Sequence, residues 1–203
     1  MTTGIVYGLG AALFQSMAYL SSRHFTDRKG GRPIQLLLAT HIMLGPAALA
    51  VLLLVPKELY PPLDSYIIAA LGTTICFLLA QILIFAALGR AAPSRVSPLL
   101  GLKILFVVIL SGIFFAASYT GLQFAAVFLA LGAALVLNYS GGSLPGRALL
   151  LILTSTLLLA GSDIFIQSAV LPFAHFGAFM QGVIPLAVSY TMAGIISLIL
   201  WPF

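Results

Sequence analysis

SYIIAALGTTICFLLAQILIFAALGRAAPSR, residues 65–95, decides the fold. From Tyr66 to Gly89 no side chain carries a formal charge, and the run then breaks on Arg90, Pro93 and Arg95. About 20 apolar residues in a helix cross the hydrocarbon core of a bilayer. Strands of a membrane barrel would instead alternate polar and apolar residues over segments of about 10. This run does not alternate, so it predicts a membrane-spanning helix.

Working outward, the same pattern recurs. Spans are expected near 3–22, 33–55, 65–89, 97–117, 121–138, 148–171 and 178–201. Between them lie helix breakers: DRKGGRP at 27–33, PKELYPPLD at 56–64, RAAPSR at 90–95, SYTG at 118–121 and NYSGGSLPGR at 138–147. The fold class that follows is all-α, a polytopic membrane helix bundle of about seven transmembrane helices. No stretch between spans is long or polar enough for a soluble domain.

Composition agrees. The 203 residues are 62% hydrophobic and 6% charged, with a mean hydropathy of +1.18. Soluble domains carry about 25% charged residues. A chain this poor in charge is solvated by lipid, where helices or closed barrels satisfy every backbone polar group internally. The net charge of +5 does not form a basic stripe, so no nucleic-acid partner is expected. The basic residues sit in short loops. Arg23, Arg28, Lys29, Arg32, Arg90, Arg95 and Arg147 follow odd-numbered spans, whereas the opposite loops hold only Lys57. Basic loops stay cytoplasmic, which places the N-terminus outside and the C-terminus of a seven-span chain inside. No lysine or arginine precedes Arg23, so the first run reads as a retained span rather than a secretory signal. The expected location is the cell (inner or plasma) membrane, multi-pass, with the lipid bilayer as surroundings. Cys76 lies within an apolar run and reads as packing.

Two segment pairs suggest an internal repeat. QSMAYLSS at 15–22 resembles GSDIFIQS at 161–168, an offset of 146, and THIMLGPAALAVLL at 40–53 resembles SYTMAGIISLILWP at 189–202, an offset of 149. In the second pair Met43 matches Met192, Gly45 matches Gly194 and Leu49 matches Leu198. A five-span unit would be inverted in its second copy, as in many transporters. The expected organisation is a five-helix repeat over 1–140 and a partial, two-helix repeat over 147–203, so that the chain reads as a transporter lacking its last three helices.

The run FAALGRAAPSRVSPLLGLKILFVVILSGIFF at 85–115, followed by GLQFAAVFLALGAALVL at 121–137, resembles the end of the five-helix unit of EamA-type transporters, in the drug/metabolite transporter superfamily. The matching positions are Ala87, Leu88, Ala92, Ser94, Ser97, Pro98, Leu99, Leu100, Ser111, Leu122, Gln123 and Gly132. The chain departs from the pattern at Ala117 (a turn glutamate), Ile104 (a proline) and Lys103 (often acidic). The resemblance implies an EamA-like repeat fold. It also implies secondary transport of small metabolites, amino acids or drug-like molecules by alternating access. Relatives commonly have ten spans with both termini cytoplasmic, in conflict with the charge bias.

Asp163 is the one acid inside an apolar run. A charge near the bilayer centre costs about 3 kcal/mol or more, so it faces a cavity or a partner. Asp163 and Gln167, spaced i,i+4, share a helix face. They are expected to line a transport path that binds a proton or a cationic group; a structural ion pair carries similar weight. Lys103 is the obvious partner, but a lysine that snorkels its flexible stem to the cytoplasmic headgroups is the slightly favoured reading. Gln15, Tyr19 and Ser22 form a polar-aromatic face on the first span, a pocket candidate. Thr74, Gln81 and His41 are weaker ones, His41 reading first as hydrogen-bonded structure. Gly4, Gly8, Ala12 and Ser16 form a small-residue stripe, expected to pack within the chain, with a homodimer as the second reading. No catalytic, metal or cofactor motif is present, so no enzyme is expected. The alternatives to a transporter are a membrane scaffold or assembly subunit that moves nothing, and an inactive truncated transporter.

Overall fold

The structure is a computed structural model; it describes residues 2–29, 32–139 and 145–201. Within them the chain is helical: α1 (Thr2–Lys29), α2 (Pro33–Leu53), α3 (Ile67–Leu88), α4 (Pro93–Leu100), α5 (Lys103–Phe115), α6 (Gly121–Tyr139), α7 (Gly146–Val170) and α8 (Ala178–Leu200). Each of the seven expected spans is helical, the fourth as two helices, and α1 continues to Lys29, past the expected end at residue 22. Among the described residues five segments are long and apolar enough to cross a membrane: Ile34–Leu53, Ile67–Leu88, Pro93–Phe115, Gly146–Phe173 and Ala178–Leu200. Gly121–Val136 is a shorter apolar helix. α1, with Gln15, Ser16, Ser21 and Ser22 in its second half, is not among the five.

Local chemistry sets the boundaries. Pro33 and Pro93 open α2 and α4, where a missing N–H costs nothing because first-turn donors have no helical partner. The fourth span, expected as one helix over 97–117, starts earlier and is broken at Gly101 and Leu102. Through the break the backbone tightens: Gly101 bonds to Pro98 (3.1 Å), Leu102 to Leu99 (3.0 Å), Ile104 to Gly101 (3.1 Å) and Leu105 to Leu102 (3.0 Å), all i→i+3. Such mid-helix tightening often marks a functional site. A Cβ on Gly101 would lie 3.0 Å from the Pro98 carbonyl oxygen, so a glycine suits the turn.

The two most extensive helix pairings are α3 with α7 and α2 with α8. Gly72 leaves room for the Phe165 ring, which a Cβ there would meet at 2.8 Å. Gly161 similarly sits beside the Cys76 sulfur, which is partly buried and free. Gly45 and Gly194, equated by the 149-residue offset, face each other where α2 crosses α8. A Cβ on Gly45 would lie 2.9 Å from the Gly194 Cα, and one on Gly194 would lie 2.8 Å from the Gly45 Cα. Only hydrogens let the two backbones meet.

The expected α1 stripe is not such a crossing in its described part. A Cβ on Gly8 would meet nothing within 4 Å, and Ala12 and Ser16 border a cavity. What Gly4 packs against lies outside the described residues. Among the described residues the backbone of α1 comes closest to α2 and α4, and its Tyr19 packs with Ala80, Ile84 and Leu159 of α3 and α7.

At the end of the bundle away from the basic loops, Tyr66 and Phe173 pack ring to ring, centroids 5.0 Å apart, with Ala70, Ile184 and Val188. Tyr60 donates its hydroxyl to the Leu52 carbonyl oxygen at 2.7 Å. Burial, with Tyr66 adding, pushes the Tyr60 phenol above its ordinary value, so the proton that makes this bond is retained. That end of the bundle is packed.

Candidate functional site

Three adjoining cavities meet at Phe77, in the middle of α3. The largest, about 720 Å³, lies between the second half of α1, the first half of α2 and the second half of α3. Those are the ends that carry the basic loops, so the space lies opposite the aromatic packing of Tyr66 and Phe173. Tyr19, His41, Phe77 and Tyr190 are among its walls. The ring centroids of His41 and Phe77 are 5.8 Å apart, and those of Phe77 and Tyr190 are 6.3 Å apart. On α1, Gln15 donates to the Tyr19 hydroxyl at 2.9 Å, and Ser22 donates to the Ala18 carbonyl oxygen at 2.7 Å. All three border this cavity.

A second cavity, about 500 Å³, runs between α1, α3, the α4–α5 break and α7. Here the Lys103 ammonium donates to Asp163 Oδ2 at 2.7 Å, with the side chains 34% and 42% exposed. Lys103 is the first residue of α5, so the break sets its ammonium against α7 rather than along an unbroken helix toward the headgroups. Gln15, Ser16, Tyr19, Gln81, Ser97 and Ser162 complete the polar wall. A third chamber, about 170 Å³, is lined by α3, α7 and α8.

The structure therefore brings Gln15, Tyr19, Gln81, Lys103 and Asp163 to one cavity. His41 is buried; its Nδ1 donates to the Leu37 carbonyl oxygen at 2.8 Å. Thr74, also buried, donates to the carbonyl oxygens of Ala70 (2.8 Å) and Ser189 (3.1 Å), tying α3 to α8. Gln167 is not brought to the site; it is exposed and borders none of these cavities. One helical turn carries it about 6 Å along α7 and about 40° around it, past the cavity edge. Sequence reasoning did not single out Phe77, Ser162 or Tyr190. Tyr190 was within reach, because the 149-residue offset equates it with His41.

A bundle of apolar helices with a paired charge and polar side chains facing an interior cavity defines a multi-pass membrane protein built around a solute-sized space. The EamA-like transporter family matches residues 2–139, more than half of the 203, and the chain belongs to that family. The match spans α1 to α6. No curated protein and no solved structure matches the chain.

Proposed function

We propose that the chain is a secondary transporter of the cell membrane that carries small organic solutes through the cavities around Phe77 by alternating access. The observation that carries this reading is the Lys103–Asp163 pair. Two opposite charges from α5 and α7 face a cavity of about 500 Å³ whose polar wall also draws on α1 and α3. A purely structural pair has no need of such a space. In a low-dielectric site whose own charges sum to zero, the solute bound at least cost is neutral or internally balanced. Asp163 can exchange its lysine partner for a proton or for an ammonium group of the solute. A scaffold that transports nothing offers no reason for polar side chains of four helices to converge.

The test is counterflow of labelled zwitterionic and neutral metabolites in proteoliposomes. Asp163→Asn keeps the size and hydrogen bonding of the side chain but removes the charge, and should reduce exchange at least about a hundredfold, the scale of a lost positioned charge. Full exchange by a well-inserted Asp163→Asn protein would remove Asp163 from the pathway.

A further inference from the structure

The chamber of about 170 Å³ between α3, α7 and α8 differs in chemistry from its neighbours. Its oxygen-bearing walls are Thr73, Thr74, Ser162, Asp163 and Ser189, with the Tyr190 phenol also bordering it. Each of the four Ser and Thr hydroxyl hydrogens is already committed. Thr73 donates to the Ala69 carbonyl oxygen (3.0 Å), and Thr74 to those of Ala70 (2.8 Å) and Ser189 (3.1 Å). Ser162 donates to the Thr73 carbonyl oxygen (3.2 Å), and Ser189 to that of Pro185 (3.1 Å). A hydroxyl that has spent its one hydrogen still has lone pairs to offer. What these four side chains can present is therefore acceptor only. Asp163 borders both this chamber and the larger cavity, and the Lys103 ammonium meets it through Oδ2.

We propose that this chamber binds a monovalent metal cation, sodium, between α3, α7 and α8. Oxygen ligands with no nitrogen or sulfur among them suit hard cations. The charge count selects among these. Once the Lys103 ammonium turns away toward the larger cavity, the one carboxylate balances a single positive charge; a divalent ion would leave charge uncompensated in a low-dielectric interior. A water occupies about 30 Å³ in the liquid, so the chamber holds the ion with part of its water shell. The ligand-bearing helices include the tightly packed α3–α7 pair, and the Ser162–Thr73 and Thr74–Ser189 bonds cross between helices, so the oxygens are held in place before the ion arrives. Lys103 and the ion then compete for one carboxylate. This inference does not rest on the transport reading, because binding needs no solute.

The experiment is equilibrium binding of radioactive sodium to the purified full chain in detergent, with N-methylglucamine chloride keeping ionic strength constant. The wild-type chain should bind saturably, at one site per chain. Thr73→Val and Ser162→Ala should each weaken binding about tenfold, about 1.4 kcal/mol. Asp163→Asn should abolish it, and Lys103→Met, which frees the carboxylate, should tighten it. Absence of saturable binding by the wild-type chain overturns the proposal whatever the variants do. So does a Lys103→Met chain, shown to be folded by its melting curve, that binds sodium more weakly than wild type.

Discussion

Lys103 and Asp163 are the residues whose surroundings decide most. Both side chains open onto a cavity, so breaking the pair should cost less than the about 3–5 kcal/mol typical of a fully buried pair. Asp163→Asn should insert and accumulate nearly as the wild type does, and immunoblots of membrane fractions would check this. A collapse in abundance, restored by adding Lys103→Met, would make the pair a structural element instead. This much of the site was legible in sequence because charge at membrane depth is conspicuous: one acid inside an apolar run, and one lysine inside another. The surroundings were not legible. Phe77 and Tyr190 are apolar or amphipathic residues among many, and only the packing of α2, α3 and α8 reveals that they edge a cavity. Gln167 shows the opposite error, since i,i+4 spacing places residues on one stripe but says nothing of where the cavity ends.

At the scale of elements, the long apolar runs between breakers marked seven helical segments, most with ends displaced by a few residues, but α1 runs seven residues past its expected end, into the DRKGGRP breaker. What patterning could not show is the break in the fourth span, which depends on Pro98 and on the close approach of Gly101 to it. Nor could it tell which glycines bring helices together. The α2–α8 crossing is sharply testable. Gly45→Ala and Gly194→Ala each force a Cβ within 3 Å of facing backbone, and overpacking of this kind costs about 1–3 kcal/mol. Gly112→Ala, where a Cβ would meet nothing within 4 Å, should be neutral or stabilising by up to about 1 kcal/mol from helix propensity. Melting of the purified variants in detergent separates these. Equal melting of all three would mean that the glycines do not hold the crossing together.

For the whole molecule, orientation follows from the loops. The basic loops adjoin the wide end of the cavities, and the aromatic packing of Tyr66 and Phe173 closes the other end. If basic loops are cytoplasmic, single cysteines at Thr26 and at Ser140 (which lies outside the described residues) should be shielded from an impermeant reagent in intact cells. One at Leu63 should label. The reverse pattern would invert the bundle. Transport through these cavities requires a water-filled path from the basic-loop side to mid-membrane at Phe77. That path is tested most directly by thiol modification in a Cys76→Ala background. Gln81 borders both large cavities, whereas Ile75, on the same helix, is 44% exposed on the outer surface of the bundle. A charged methanethiosulfonate reagent should modify Gln81→Cys when added to the basic-loop side of sealed vesicles and not from the other side. Ile75→Cys, facing lipid that does not support a thiolate, should stay unmodified from both. Equal reactivity at the two positions, or a Gln81→Cys that is inert from the basic-loop side, would contradict the account.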